Sequence, residues 1–169
     1  MHPGQGGGWI ARWARPLRLY PHPSILTILG TYRCTAECEH CCFDSNPRIK
    51  GQLGLEEIVS FIREAKEKHP EVLLVVFSGG ECFLLGEDLV RAVEFARNSG
   101  LRTRCVTNGY WAKSERVGRR TLQRLRSAGL DELNISTGDF HQRFVTEDTV
   151  AIAAALGVEL DLDQTLIVV

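Results

Sequence analysis

An α/β fold on a parallel sheet is predicted by three observations. β-rich apolar runs alternate with helically spaced apolar residues from residue 25 onward, the strongest run is apolar at every position, and the unusual residues fall in the loops that follow the strands. Ile25 to Leu29 is the first short strand. Leu55, Ile58, Val59, Ile62 and Ala65 then repeat at helical spacing, and Pro70 marks that helix's end. Val72 to Phe77 reads as a strand buried on both faces, as parallel strands are. Asp88 to Ala96 is helical and stops at Asn98-Ser99-Gly100, and Arg102 to Val106 is a third strand. Ser114 caps a helix carrying Val117, Leu122 and Leu125 that Gly129 ends, and Leu133 to Ile135 is the fourth strand. Thr146 opens an alanine-rich helix with Glu147 and Asp148 in its first turn. Gly157 is expected to close that helix and Val158 to Leu162 to form a fifth strand.

Right-handed βαβ crossovers bring the loops at the strand carboxyl ends to one face, where such sheets bind ligands. Cys34 to Cys41 follows the first strand, Ser78-Gly79-Gly80-Glu81 the second, Thr107-Asn108-Gly109 the third and Ser136-Thr137-Gly138-Asp139 the fourth. Four polar or glycine-rich loops on one face constitute a candidate site.

Within it, Cys34, Cys38 and Cys41 lie in eight residues. Three thiolates in one loop secure three irons of a 4Fe-4S cube and leave the fourth open, and an open metal position marks chemistry more often than scaffolding. Zinc with His40 as fourth ligand and a disulfide framework from the six cysteines are the competing readings. The spacing, the lack of a second CxxC pair and the crowding of Cys38, Cys41 and Cys42 favour the cluster.

The 169 residues, 44% hydrophobic with formal net charge −1, suit one domain with a real core. No apolar run approaches a membrane span, so a soluble, cytoplasmic protein is expected. Residues 1–24 read as a loosely ordered leader, with Trp9 and Trp13 spaced to share one helical face. Between Arg97 and Arg126 nine basic residues accompany one acid, Glu115. A solvated helix face is the simpler reading and a dock for an anionic partner the sharper one; no aromatic residue interleaves between 112 and 130, against nucleic-acid binding.

CxxxCxxC at Cys34, Cys38 and Cys41, GGE at 79–81, TNG at 107–109 and ISTGDFH at 135–141, in that order, resemble the radical S-adenosylmethionine (SAM) enzymes from about Ile25 to the end of the chain. The resemblance implies a partial TIM-like (β/α) barrel with about five of the usual six βα units, making 25–169 a core domain incomplete at its C-terminus. It implies a 4Fe-4S cluster on Cys34, Cys38 and Cys41 whose open iron chelates SAM, and reductive cleavage of SAM to a 5′-deoxyadenosyl radical that abstracts hydrogen from a substrate, a peptide among the candidates. An electron donor such as flavodoxin or ferredoxin is the implied partner. Gly79 and Gly80 let main chain approach the SAM methionine moiety, with Glu81 orienting their loop. Asn108 reads either as a polar cofactor contact or as a plain Asn-Gly turn. Ser136 and Asp139 are candidates for the ribose or carboxylate; many relatives carry Ser-x-Asp there, and this chain has one extra residue between the two. His141 reads as structural or as a substrate acid or base. Cys42, Cys82 and Cys105 are taken as bystanders. The competing function is a non-enzymatic iron-sulfur electron-transfer or scaffold protein derived from the same fold.

Overall fold

The computed structural model describes residues 22–169, so the expectations for the leader and for Trp9 and Trp13 lie outside the described residues. Five strands, β1 (Ile25–Thr31), β2 (Leu74–Gly79), β3 (Arg102–Thr107), β4 (Glu132–Ser136) and β5 (Gln164–Val168), form one sheet in the order β1-β2-β3-β4-β5. Every pairing is parallel. Helices α1 (Leu55–Lys68), α2 (Glu87–Asn98), α3 (Glu115–Ala128) and α5 (Glu147–Glu159) fill the crossovers, and α4 (Asp139–Gln142) is a single turn ahead of α5. Sequential order without reversal means that every right-handed crossover places its helix on the same face, which curls the sheet toward a barrel rather than a doubly wound layer. The expected partial (β/α) barrel of five parallel strands is therefore present.

Strand alternation divides the sheet. Ile28, Val75, Phe77, Cys105, Leu133 and Ile135 face the helices and pack with Ile58, Leu89, Val93, Leu122 and Leu156 in one apolar core. The inner face carries Ser78, Arg104, Val106, Glu132, Asn134 and Ser136. At the amino ends of the strands Arg104 Nε donates to Glu132 Oε2 at 2.6 Å, and Arg102 pairs with Glu132 at 3.1 Å and Asp163 at 2.9 Å. The charges thus sit at one end of the inner face and the uncharged hydrogen-bonding groups at the other. Among the described residues no helix is long and apolar enough to cross a membrane.

The expected fifth strand, Val158 to Leu162, is corrected. Gly157 does not close α5; it lies inside the helix, where an added Cβ would stand 2.9 Å from Thr165 Cγ2, so the glycine provides close helix–strand packing instead. The turn is made further on, at Asp161 with φ +59°, and Leu162 N–H returns to Gly157 O at 3.2 Å. The strand follows at Gln164, where the apolar run Leu166 to Val169 supplies it. Gly129, by contrast, ends α3 as expected, at φ +109° with its N–H on Arg126 O.

β5 leaves Leu166, Ile167 and Val168 between 41% and 52% exposed along an open sheet edge. The 169-residue chain is accordingly expected to self-associate, and Ile167→Lys to raise its monomer fraction severalfold. Anaerobic size-exclusion chromatography with light scattering checks this: a monomeric wild-type chain contradicts it.

Candidate active site

At the carboxyl end of β1 the chain enters a long loop to Gly54 that closes on itself: Cys34 N–H donates to Asn46 O at 3.2 Å and Thr31 Oγ1 to Gly51 O at 2.9 Å. Successive turns, Cys41 N–H to Cys38 O and Asp44 N–H to Cys41 O, keep Cys38 and Cys41 together. Cys34, Cys38, Cys41, Gly79, Gly80, Asn108 and Ser136 all line one pocket of about 250 Å³ above the strand ends, with His40, Cys42, Phe43, Ser45, Ser78, Thr107 and His141. No Asp, Glu, Lys or Arg lines it. The one-face arrangement expected from the loops is present, and three strand-end loops converge on the cysteine loop.

The glycines are required before any ligand is considered. Gly80 N–H donates to Thr31 O at 2.7 Å and Glu81 N–H to Arg33 O at 3.0 Å. A Cβ on Gly80 would lie 2.6 Å from Tyr32 O and overlap Arg33 O, and Gly79, at φ +124°, abuts Thr31 O. Main chain meets main chain here, and no side chain fits between.

Glu81 does not line the pocket. It is fully buried behind it, its Oε1 accepting from Phe83 N–H at 3.0 Å and Thr107 Oγ1 at 2.8 Å and its Oε2 from Asn108 N–H at 2.9 Å. Burial raises its carboxyl to about 7 while these three donors pull the other way. The role the geometry gives Glu81 is to fix the loop after β3 relative to the loop after β2.

Asn108 serves both of its readings. Its Oδ1 accepts from Tyr110 N–H at 3.0 Å, an Asx turn, while Nδ2 donates to Thr35 Oγ1 at 3.0 Å and reaches Cys34 Sγ at 3.6 Å. Ser136 lines the pocket and Asp139 does not; Asp139 is exposed at the start of α4. His141 lines the pocket with a buried Nδ1 that has no protein partner, and burial followed by the charge of His40 holds its pKa below the usual imidazole value. His40 stacks on Phe140 at 4.7 Å and stands edge-on to His141 at 5.1 Å. Of the remaining cysteines, Cys82 and Cys105 are buried in the core, with Cys82 Sγ donating to Val106 O at 3.2 Å, and Cys42 is exposed at the pocket. Sequence reasoning missed Ser45, which is 4% exposed and presents an unpaired hydroxyl at the pocket wall; a serine in a polar loop carries no pattern that could mark it.

The donor set fits a cluster. Cys34 is pushed up to about 11 by burial, then by the charges of Glu81 and Cys38, and Cys38 is raised by burial and by Cys41. Thiols crowded in this way hold their protons until a cation offsets the thiolate charge, and coordinated iron is such a cation. Ala36 N–H, at 3.4 Å from Cys34 Sγ, is placed to stabilise the thiolate. Among the described residues no three His, Cys, Asp or Glu converge on a single ion. A cube asks for something else, one thiolate at each of three separate corners.

Glu81→Ala leaves three buried donors unpaired and is expected to cost about 3 kcal/mol of stability. Because the folded carboxyl titrates near 7 instead of 4.5, its contribution to stability is complete below pH 4.5 and lost as pH rises through 7. Urea unfolding of the anaerobic protein between pH 4.5 and 8 should show this fall in the wild type and lose it in Glu81→Gln. Gly80→Ala is expected to lower iron retention and stability together, as measured by iron analysis and thermal unfolding, since its Cβ presses on the carbonyls preceding Cys34.

The radical SAM superfamily profile matches residues 28–153. The putative peptide biosynthesis protein YydG of Bacillus subtilis (strain 168) is 28% identical over 118 residues, which are 70% of this chain and 37% of that protein. Among solved structures, native anSMEcpe with bound AdoMet and Cp18Cys peptide aligns with TM-score 0.62 and 18% identity over 84% of this chain and 41% of its own. BtrN in complex with AdoMet and 2-DOIA aligns with TM-score 0.60 and 16% identity over 85% of this chain and 56% of its own. The chain thus spans about two fifths to just over half the length of these proteins. The thiol loop, the glycine approach and the parallel half-barrel that carries them agree with the profile match over three quarters of the sequence: the chain belongs to the radical SAM superfamily.

Proposed function

We propose that this chain is the catalytic core of a radical SAM enzyme that acts on a peptide. One observation carries the reading: three cysteines of one loop, two glycine-opened backbones and the Asn108 and Ser136 side chains line a single pocket at the strand carboxyl ends. Cys34, Cys38 and Cys41 hold a 4Fe-4S cluster, one thiolate to each of three irons. When bound, the cluster and SAM together supply reductive cleavage of the sulfonium C–S bond and hydrogen abstraction through the 5′-deoxyadenosyl group. The protein's own tasks are positional. Gly79 and Gly80 present main chain beside the thiols, and Asn108 braces Cys34 and Thr35. Ser136 offers a hydroxyl to the SAM ribose, and Glu81 fixes the two loops from behind. The pocket wall has no carboxylate, lysine or arginine, so a group bound there would face uncharged side chains and main chain. The peptide substrate is supported by the name of YydG and by the peptide bound in the anSMEcpe structure. The electron comes from a low-potential donor such as flavodoxin or ferredoxin.

Anaerobic reconstitution should load about four irons per chain. Cys34→Ala, Cys38→Ala and Cys41→Ala are each expected to abolish the cluster absorbance, and Cys42→Ala to retain it. Addition of SAM should change the EPR spectrum of the dithionite-reduced cluster, and chromatography should find 5′-deoxyadenosine. A stable cluster with neither response would establish the electron-transfer or scaffold reading instead.

A further inference from the structure

A second cavity, of about 330 Å³, opens in the helix layer between α2 and α3, on the opposite side of the sheet from the inner face that carries Ser78 and Ser136. Phe83 and Trp111, stacked at 4.7 Å and nearly parallel at 8°, line it together with Tyr110, Arg120 and Arg124. α3, which contributes Arg120 and Arg124 to the cavity wall, carries five arginines against one glutamate, leaving this helix at +4 in a chain whose net charge is −1. Three of those arginines are occupied: Arg119 pairs with Glu115 and Glu159, Arg124 with Glu87, and Arg126 donates to Leu160 O. Lys113, Arg116 and Arg120 are exposed and have no ion-pair partner among the described residues.

Helix stability does not account for them. Cations are favourable near a helix C-terminus and unfavourable in its first turns, and Arg116, Arg119 and Arg120 sit in the first two turns of α3. A face kept soluble by charge alone would equally accept acids at these positions. Of the unpaired cations Arg120 lines the cavity and Arg116 lies one turn before it on α3, and the cavity wall is connected to the thiol loop. Tyr110 at its wall donates N–H to Asn108 Oδ1, and Asn108 Nδ2 reaches Cys34 Sγ. Two hydrogen bonds and one side chain therefore lead from this groove to a cysteine of the thiol loop, along the wall of the first pocket.

We propose that the α2–α3 groove, with Arg120 at its wall and Arg116 and Lys113 exposed beside it at the start of α3, is the docking surface for an acidic flavoprotein electron donor, and that Tyr110 and Asn108 connect the donor to the cluster through Cys34. The proposal rests on the cluster reading above. In the transfer, one electron leaves the anionic flavin hydroquinone, which becomes the neutral semiquinone, and the oxidised cluster takes it up; no bond forms or breaks and no proton moves. The charge complementarity sets encounter rate and orientation, and so depends on salt.

The test uses the reconstituted chain and purified flavodoxin in its hydroquinone state. Wild type should bind flavodoxin with an affinity that falls as salt is raised. Arg116→Glu combined with Arg120→Glu should weaken that binding, and slow flavodoxin-driven bleaching of the cluster, by about tenfold or more. Iron content and reduction by dithionite should be unchanged, and the paired Arg→Lys variant should retain binding. Equal flavodoxin affinity and bleaching rate in the charge-reversed and wild-type proteins would overturn the proposal. So would a charge reversal that impairs only the binding of an acidic peptide, which would make the groove a substrate surface. If wild type assembles no cluster that dithionite reduces, the proposed function fails, and the flavodoxin binding measurements still decide the docking surface by themselves.

Discussion

A buried carboxylate fixes the polarity of this site. Both Glu81 oxygens accept hydrogen bonds, and Thr107, at 2.8 Å, donates to one of them. Thr107 Oγ1 then has only lone pairs left, and it takes Gly109 N–H at 3.1 Å and Trp111 Nε1–H at 3.2 Å. Trp111 is thereby held against Phe83, whose own N–H is on Glu81. Because Asn108 N–H is also on Glu81, the Asn108 side-chain amide is directed at Thr35 and Cys34. Through its main chain Glu81 also holds Arg33 O, next to the first cysteine. One buried residue thus ties the β2 and β3 loops through its carboxyl and reaches the cysteine loop through its main chain. Burying it costs desolvation, which is why its carboxyl titrates well above the usual range even with three donors around it.

That network explains which parts of the site were legible in the sequence. β1 to β4 and the helices between them were readable because apolar runs and helically spaced apolar residues alternate along the chain; of the expected strand Val72 to Phe77, Leu74 to Phe77 is buried in β2, while Leu73 lies ahead of the strand and is 63% exposed. The positions of the four loops followed from strand order. Gly79 and Gly80 were recognisable as places where backbone comes close, but not what they come close to: the partner is the end of β1, dozens of residues earlier. Gly157 was misread for a related reason. A glycine that ends a helix and a glycine that lets a strand pack against one look identical in sequence, and Thr165, which separates the two cases, lies beyond the turn. Ser136 and Asp139 could not be ranked from spacing. The turn at Gly138, with φ +111°, carries Asp139 away into α4 and leaves Ser136 at the pocket.

The sheet gives each end and each face a different electrostatic task. Arg102, Arg104, Glu132 and Asp163 compensate one another at the amino ends of the strands, where the charged pairs are remote from the thiols. At the carboxyl ends the pocket wall has hydroxyls, an amide, imidazoles and sulfur. Such a wall cannot hold the thiols ionised by fixed positive charge, and burial raises Cys34 and Cys38 accordingly. In the proposed cluster site the charge that makes thiolates stable would arrive with the metal, so loading would be coupled to loss of the thiol protons.

If the chain works as proposed, the same sheet separates two kinds of traffic, substrate and electron. On that reading a substrate has to enter the pocket that Phe43, Ser45 and His141 partly wall, and the reaction is protected only while the pocket is closed to water. An electron has no such need for an opening. It can cross packed side chains and hydrogen bonds, and the Asn108 side chain lies between Tyr110 at the α2–α3 groove and the Cys34 sulfur. Asn108 is oriented by Glu81, whose place is set by the Gly80 approach to β1. The geometry that shapes the pocket is therefore the geometry that connects it to the outside, and a change at any of these three positions should disturb both together.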